Sequence, residues 1–317
     1  VDVTFDIQNN GIGQGRFHLV SNFQGGSYPD EVFTQLHDLS MGRRVALSRD
    51  GSTAAIAGIL FDQTSEKFRW IVKIFKKDSS TGDWDTSNPI EILEDASEAS
   101  PFEADAYVEI ALSGDGTSIF IANAKAKRFD SDTQEQGTVS KYSISSSASL
   151  ASSSSFEVTP DSNTAIGYYF AGLQVAAADD SNTAVVGIPY NQKVELIDST
   201  GKPALNFSTA TANSLLGRSV AISKDGTTIG ASAPGDNKIY IARFVTNAWS
   251  YEEIPGSAAG ITTEGDLGSS LAINDDGTII AIGSKNHDAE GGIDKGSVTV
   301  MIKKDGVWTQ LGQTLKG

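Results

Sequence analysis

Five times along the chain a small residue, two variable positions, an aliphatic residue, Ala and a hydrophobic residue lead into a polar turn with Asp, after which a second apolar run begins. The copies are Gly42-Arg-Arg-Val-Ala-Leu-Ser-Arg-Asp-Gly51, Tyr107-Val-Glu-Ile-Ala-Leu-Ser-Gly-Asp-Gly116, Gly172-Leu-Gln-Val-Ala-Ala-Ala-Asp-Asp-Ser181, Gly217-Arg-Ser-Val-Ala-Ile-Ser-Lys-Asp-Gly226 and Gly268-Ser-Ser-Leu-Ala-Ile-Asn-Asp-Asp-Gly277; Tyr107 is the one departure from a small first residue. A recurrence of this size marks one supersecondary unit used repeatedly, so the fold is argued from the unit. In the fifth copy Ser270 to Asn274 alternates as a half-buried strand does. Asp276-Gly277 then supplies a tight hairpin, since Gly tolerates positive φ. Thr278 to Gly283 reads as the return strand, Gly296 to Lys303 as a third and Val307 to Leu311 as a fourth, with Lys304-Asp305-Gly306 between the last two.

Elsewhere Trp70 to Lys76, Gly137 to Ile144, Lys193 to Asp198 and Lys238 to Phe244 fill the third-strand place. Four antiparallel strands per copy is the content of a propeller blade, so the expected fold is all-β, a propeller of four-stranded antiparallel blades. Ala46, Ala111, Ala176, Ala221 and Ala272 hold one position in all five copies. Ala is a poor strand former, and its recurrence fits an innermost strand where converging blades leave no room for a larger group. Trp84, Trp249 and Trp308 recur near the fourth-strand start and are expected to cover the seams between blades.

The motif Asp residues lie 65, 65, 45 and 51 residues apart, as insertions in propeller loops allow. Val32-Phe-Thr-Gln-Leu36 echoes Val307-Trp-Thr-Gln-Leu311, so residues 1–40 read as a sixth, diverged blade before the five clear repeats of 41–317. The count is six blades in one domain, 1–317, with seven as the alternative. Val1, Val3, Phe5 and Ile7 alternate with Asp2, Thr4 and Asp6 as a half-buried strand at the terminus. Such a strand either closes its own ring or adds to a neighbour's sheet, and the second outcome propagates into a filament.

Composition narrows the partners. The 317 residues carry 40 acidic and 24 basic side chains, a formal charge of −16, which argues against nucleic acid or an anionic membrane surface as partner. No run approaches the roughly 18 apolar residues of a membrane span. The absence of Cys removes disulfides, a thiol nucleophile and thiolate metal sites. The chain begins at Val1 with no basic-then-apolar leader, which reads as a mature product after signal removal and places it outside the cell or on its surface. Asn206-Phe-Ser208 is an N-glycosylation triplet, and the serine-rich run from Ser143 to Ser155, with Ser145, Ser146, Ser147, Ser152 and Ser153, reads as a loop open to O-linked sugars. The three histidines, His18, His37 and His287, lie in no nucleophile elbow, and Gly11-Ile-Gly13-Gln-Gly15 has no helix after it to cradle a phosphate. No residue is therefore singled out as catalytic.

Leu216-Gly-Arg-Ser-Val-Ala-Ile-Ser-Lys-Asp-Gly-Thr-Thr-Ile-Gly-Ala-Ser-Ala-Pro234, Gly296-Ser-Val-Thr-Val and Trp308-Thr-Gln-Leu-Gly312 resemble the FG-GAP-like repeat family, related to the propeller head of integrin α chains. Repeats of that type often carry a calcium loop. Here the nearest carboxylate clusters are Asp130-Ser-Asp132 with Glu135 and Asp288-Ala-Glu290 with Asp294, whose hard oxygen donors suit Ca²⁺. With the terminal strand, the resemblance implies a non-catalytic extracellular structural or adhesive module, with copies of itself as partner, forming a fibre, coat or appendage. The alternative it implies is a Ca²⁺-assisted binding module for a glycan or protein.

Overall fold

A computed structural model describes residues 2–8, 16–22, 37–38, 41–62, 67–87, 89–95, 107–124, 137–145, 150–158, 174–180, 182–199, 201–208, 210–260, 266–287 and 295–317. The chain divides into two compact units, Val1–Leu36 and His37–Gly317. In the first unit β1 (Asp2–Gln8) runs antiparallel to β2 (Arg16–Asn22), with Asp2 opposite Asn22 and Gln8 opposite Arg16. Val3, Phe5 and Ile7 thus sit across from Ser21, Leu19 and Phe17, while Val1 lies outside the described residues.

The second unit is a succession of antiparallel sheets, one per repeat. The first holds β3 (His37–Asp38), β4 (Arg44–Leu47), β5 (Thr53–Asp62), β6 (Lys67–Lys76) and β7 (Ile90–Asp95), with β3 and β4 both paired to β5. The second is β8 (Tyr107–Leu112), β9 (Ser118–Ala124), β10 (Gly137–Ile144) and β11 (Leu150–Val158). The third comprises β12 (Gln174–Ala177), β13 (Ala184–Ile188) and β14 (Lys193–Ile197). The fourth is β15 (Val220–Ile222), β16 (Thr228–Ala233), β17 (Lys238–Val245) and β18 (Ala248–Pro255). The fifth is β19 (Leu267–Ile273), β20 (Ile279–Ser284), β21 (Ser297–Lys304) and β22 (Val307–Gln310), with β23 (Leu315–Lys316) also paired to β21. These are the blades of a β-propeller.

The recurrent alanines all lie on the first strand of their sheet, and the first strands β4, β8, β12, β15 and β19 lie side by side in that order. Successive blades converge there: the methyl groups of Ala111 and Ala221 are buried and those of Ala46 and Ala176 half-buried, so a larger group would overpack, while Ala272 is exposed. Behind the hub, each pair of neighbouring sheets closes over its own apolar cluster. Trp70, Val72 and Ile74 of the first sheet meet Ile110, Ile119 and Ile121 of the second; Ala122 and Val139 meet Val186 and Ile188 of the third. Val185 and Val194 then meet Val220, Ile229 and Tyr240 of the fourth, and Ile239, Ile241 and Ile254 meet Ile280, Ile282, Met301 and Trp308 of the fifth. Middle strands are covered on both faces and by a neighbour on each edge, so β13 and β16 are buried throughout. Their sequences, AVVGI and TIGASA, accordingly lack the polar alternation of an exposed strand.

Of the recurrent tryptophans, Trp308 lies in the cluster between the fourth and fifth sheets, with Nε1 donating to Glu252 Oε2 at 3.1 Å. Trp249 packs on the cluster between the third and fourth. Trp84 instead sits under Lys77, whose Nζ is 5.6 Å from the ring centroid. Trp70 is the more deeply buried indole of the first sheet. The serine-rich segment differs from the loop expected of it: Leu150–Val158 is the outer strand β11, with Ser152 opposite Ser143 and Ser153 opposite Tyr142. A backbone ladder is satisfied whatever the side chains, and serine composition does not prevent it.

The motif Asp residues serve their hairpins. Asp225 accepts hydrogen bonds from Ser223 Oγ (2.7 Å), Thr227 N (3.0 Å) and Thr227 Oγ1 (2.8 Å), and Asp115 repeats the set with Ser113 and Thr117. Partial burial opposes ionisation of Asp225, but the bonds from Ser223 and Thr227 outweigh it and hold the carboxyl below its ordinary range. A lowered pKa in the folded state contributes stability above the unfolded value of about 4 and loses it as pH falls through the folded pKa. Urea midpoints of wild type and Asp225→Asn measured from pH 7 to pH 2 are therefore expected to differ at neutral pH and to converge in acid.

Candidate active site

Two residues before each hub alanine, on the same strand face, the repeat places Arg44, Glu109, Gln174, Ser219 and Ser270. In the first three sheets these side chains meet. Arg44 Nε is hydrogen-bonded and ion-paired to Glu109 Oε1, and Gln174 Nε2 donates to the same oxygen at 3.4 Å. Arg44 also donates from Nη1 to the Arg43 carbonyl at 2.8 Å, which fixes the guanidinium plane. Ser219 Oγ accepts from the Leu271 N–H at 3.0 Å and ties the fourth first strand to the fifth. The Glu109 side chain is only 17% exposed. Burial raises its pKa above the usual carboxylate value, and the Arg44 charge with the bonds from Arg44 and Gln174 offset this only in part.

A carboxylate with a raised pKa, held against a guanidinium and an amide where neighbouring blades converge, has the attributes of a general base beside an electrostatic stabiliser. The strands supply the precision: the three side chains come from equivalent positions of β4, β8 and β12, each paired along its length to a second strand. The alanines two residues further on keep that face of the hub clear.

Roughly 16 Å along the first strands, at about 3.3 Å per residue, lies the turn end of the hub. There a depression of about 540 Å³ is lined by Asp179, Asp180, Lys224, Asp225, Asp275 and Asp276. Its carboxylates are engaged in structure: Asp180, Asp225 and Asp276 bond to their own turns, and Asp179 and Asp275 pair with Arg49. Among the described residues no group of three or more His, Asp or Glu side chains is placed to hold a metal ion. Asp130, Asp132, Glu135, Asp288, Glu290 and Asp294 lie outside the described residues, as do Ser146 and Ser147. Asn206 is exposed, and its N–H donates to the Tyr251 hydroxyl at 2.7 Å. Ser145 is half-buried beside β10. His287 Nδ1 lies 2.8 Å from Ser297 Oγ. Arg44, Glu109 and Gln174 are not marked out by any motif; the one signal is the slot two residues before the hub alanine, bulky and polar in three copies and Ser in the other two.

No family model matches the chain and no curated protein does. Solved structures match its fold. The periplasmic gluconolactonase of Pseudomonas aeruginosa is 14% identical over 85% of this chain and 70% of its own, with a TM-score of 0.53. A protein assigned as a 6-phosphogluconolactonase from Bacteroides uniformis is 13% identical over 86% of this chain and 71% of its own, with a TM-score of 0.56, and one from Bacteroides fragilis gives 13%, 87%, 71% and 0.54. The chain is similar in fold to these lactonases.

That likeness corrects two expectations. The neighbours are lactonase propellers rather than FG-GAP or integrin-type repeats, because a small first strand followed by an Asp turn is what blade packing requires of many propellers, whatever their lineage. The non-catalytic fibre-forming or adhesive module, and with it the integrin-like binding alternative, gives way for the same reason: the neighbours are named enzymes. Among the described residues no helix is long and apolar enough to cross a membrane.

Proposed function

We propose that this chain hydrolyses a sugar lactone at its hub. The carrying observation is Glu109, half-buried, with its pKa raised by that burial, and touched by both Arg44 and Gln174. Support comes from the lactonases that share the fold. Glu109 as carboxylate removes a proton from water as its oxygen adds to the lactone carbonyl carbon. The carbonyl π electrons move to oxygen, where the Arg44 guanidinium stabilises the negative charge. Collapse breaks the ring C–O bond, and the departing alkoxide takes the proton back from Glu109, leaving an open-chain hydroxy acid. Gln174 orients the carboxylate and offers an amide to a substrate hydroxyl.

An uncharged lactone suits a chain of net charge −16 better than a phosphorylated one. A location outside the cytoplasm accords with the neighbour named as periplasmic. The test is ring opening of gluconolactone by the purified chain, followed with a pH indicator above the spontaneous rate, with the 6-phosphorylated lactone in parallel. Hydrolysis of the neutral substrate is expected. Absence of acceleration with both substrates sinks the reading.

A further inference from the structure

Neighbouring sheets from the first to the fifth are joined at four seams by buried apolar clusters, whereas the described contact between the fifth sheet and the first is ionic. It is made by one repeat slot, the residue before the motif Asp, occupied by Arg49, Gly114, Asp179, Lys224 and Asp275. The backbone at this slot forms a staircase from sheet to sheet. Arg49 N–H donates to the Gly114 carbonyl (3.1 Å), Gly114 to Ala178 (3.0 Å), Asp115 to Asp179 (3.1 Å), Asp179 to Lys224 (2.9 Å) and Lys224 to Asp275 (3.1 Å). The staircase runs from the first sheet to the fifth, and the Arg49 side chain returns from the fifth to the first. Its Nε bonds Asp179 Oδ1 and its Nη1 bonds Asp275 Oδ1, while Lys224 Nζ stands 3.5 Å from Asp179 Oδ2.

A guanidinium that touches turns of the first, third and fifth sheets at once sits at the common centre of those turns. Arginine suits the place because its planar fork presents donors in two directions, which a single ammonium does not. Gly114 is part of the same device: a Cβ there would coincide with the Asp179 carboxylate, so a residue without a side chain is what lets Asp179 reach across the second sheet to Arg49. We propose that Arg49 is an ionic clasp, which holds the fifth sheet to the first at the turn end and makes that junction, which among the described residues has no apolar cluster of its own, the one most responsive to salt. The inference stands apart from the lactonase reading, since the clasp lies at the other end of the hub.

Hydrogen exchange followed by mass spectrometry on the full chain tests it. Arg49→Gln is expected to speed exchange of the β4 and β19 amides about tenfold, while β9 and β16, held by apolar seams, stay as in wild type. Asp275→Asn, which removes only the fifth-sheet partner, should give the same local pattern. In wild type, raising salt from about 0.1 to about 1 M shortens the screening length from about 10 to about 3 Å and should reproduce part of the rise; in Arg49→Gln the same change should add nothing. Unchanged exchange of β4 and β19 in both variants overturns the clasp, and so does an equal rise across all sheets, which would mean general loss of stability.

Discussion

Replacing Glu109 by Gln should lower kcat/KM for gluconolactone by about 10²–10⁴-fold, the range expected for losing a positioned general base, while the thermal midpoint stays close to that of wild type. Gln has the same shape and can still accept from Arg44, so the packing of the first three sheets is kept and only the proton acceptor is lost. The pH profile gives a second reading of the same group. Activity needs the ionised carboxylate, so it should rise with pH through a pKa that burial has lifted above the ordinary value. Removing the Arg44 charge removes a factor that lowers this pKa. Arg44→Gln should therefore move the acid limb to higher pH as well as reduce turnover, a combination that a merely structural role for Arg44 would not produce. If Glu109→Gln retains wild-type turnover, the base lies elsewhere.

The largest loss of stability is expected from Gly217→Val. Gly217 has φ +89° and lies in the turn three residues before β15, where it packs against the third sheet. A Cβ there would lie 2.8 Å from both Gly187 Cα and the Lys193 carbonyl, which are backbone atoms with nowhere to go. A positive-φ penalty of about 1–2 kcal/mol adds to about 1–3 kcal/mol of overpacking. The sum, roughly 2–5 kcal/mol, is a large part of the about 5–15 kcal/mol that keeps a domain folded. Gly42 supplies the internal control: it holds the same repeat slot at φ +92°, yet nothing lies within 4 Å of its would-be Cβ. Gly42→Val should thus cost only the backbone share. Urea denaturation of the two variants separates the contributions, and equal losses would show that blade contact at Gly217 is not the cause.

Much of the fold was legible because a blade is a local object. Asp276-Gly277 announces its hairpin through bonds made within five residues, and β10, β14 and β17 begin at the residues the apolar runs indicate, Gly137, Lys193 and Lys238. The alanines were informative because four of the five are buried or half-buried where the first strands lie side by side, Ala272 alone being exposed. Trp84 misled for the opposite reason: its spacing matches Trp249 and Trp308, but the contact it makes is with the Lys77 ammonium and its bridge partner is Lys77 in its own repeat. The serine run misled because composition carries no record of a backbone ladder.

The candidate constellation was hidden by distance along the chain. Arg44, Glu109 and Gln174 are each separated by 65 residues, and in the sequence each is one polar residue in a variable slot. The family resemblance was equally blind, since it rested on residues that blade packing dictates and reported architecture without chemistry.

By itself the sequence determined the all-β blade, the place of its hairpins and the small residues of the innermost strands, because these follow from alternation, turn chemistry and side-chain size acting over short separations. Only the tertiary structure decided which polar slots meet: the charge at residue 44 finds its carboxylate at residue 109, and the charge at residue 49 finds carboxylates at 179 and 275. The physical reason is that repeats packed around a common centre bring equivalent positions into contact, so chemistry that is spread along the chain becomes one site when the sheets converge.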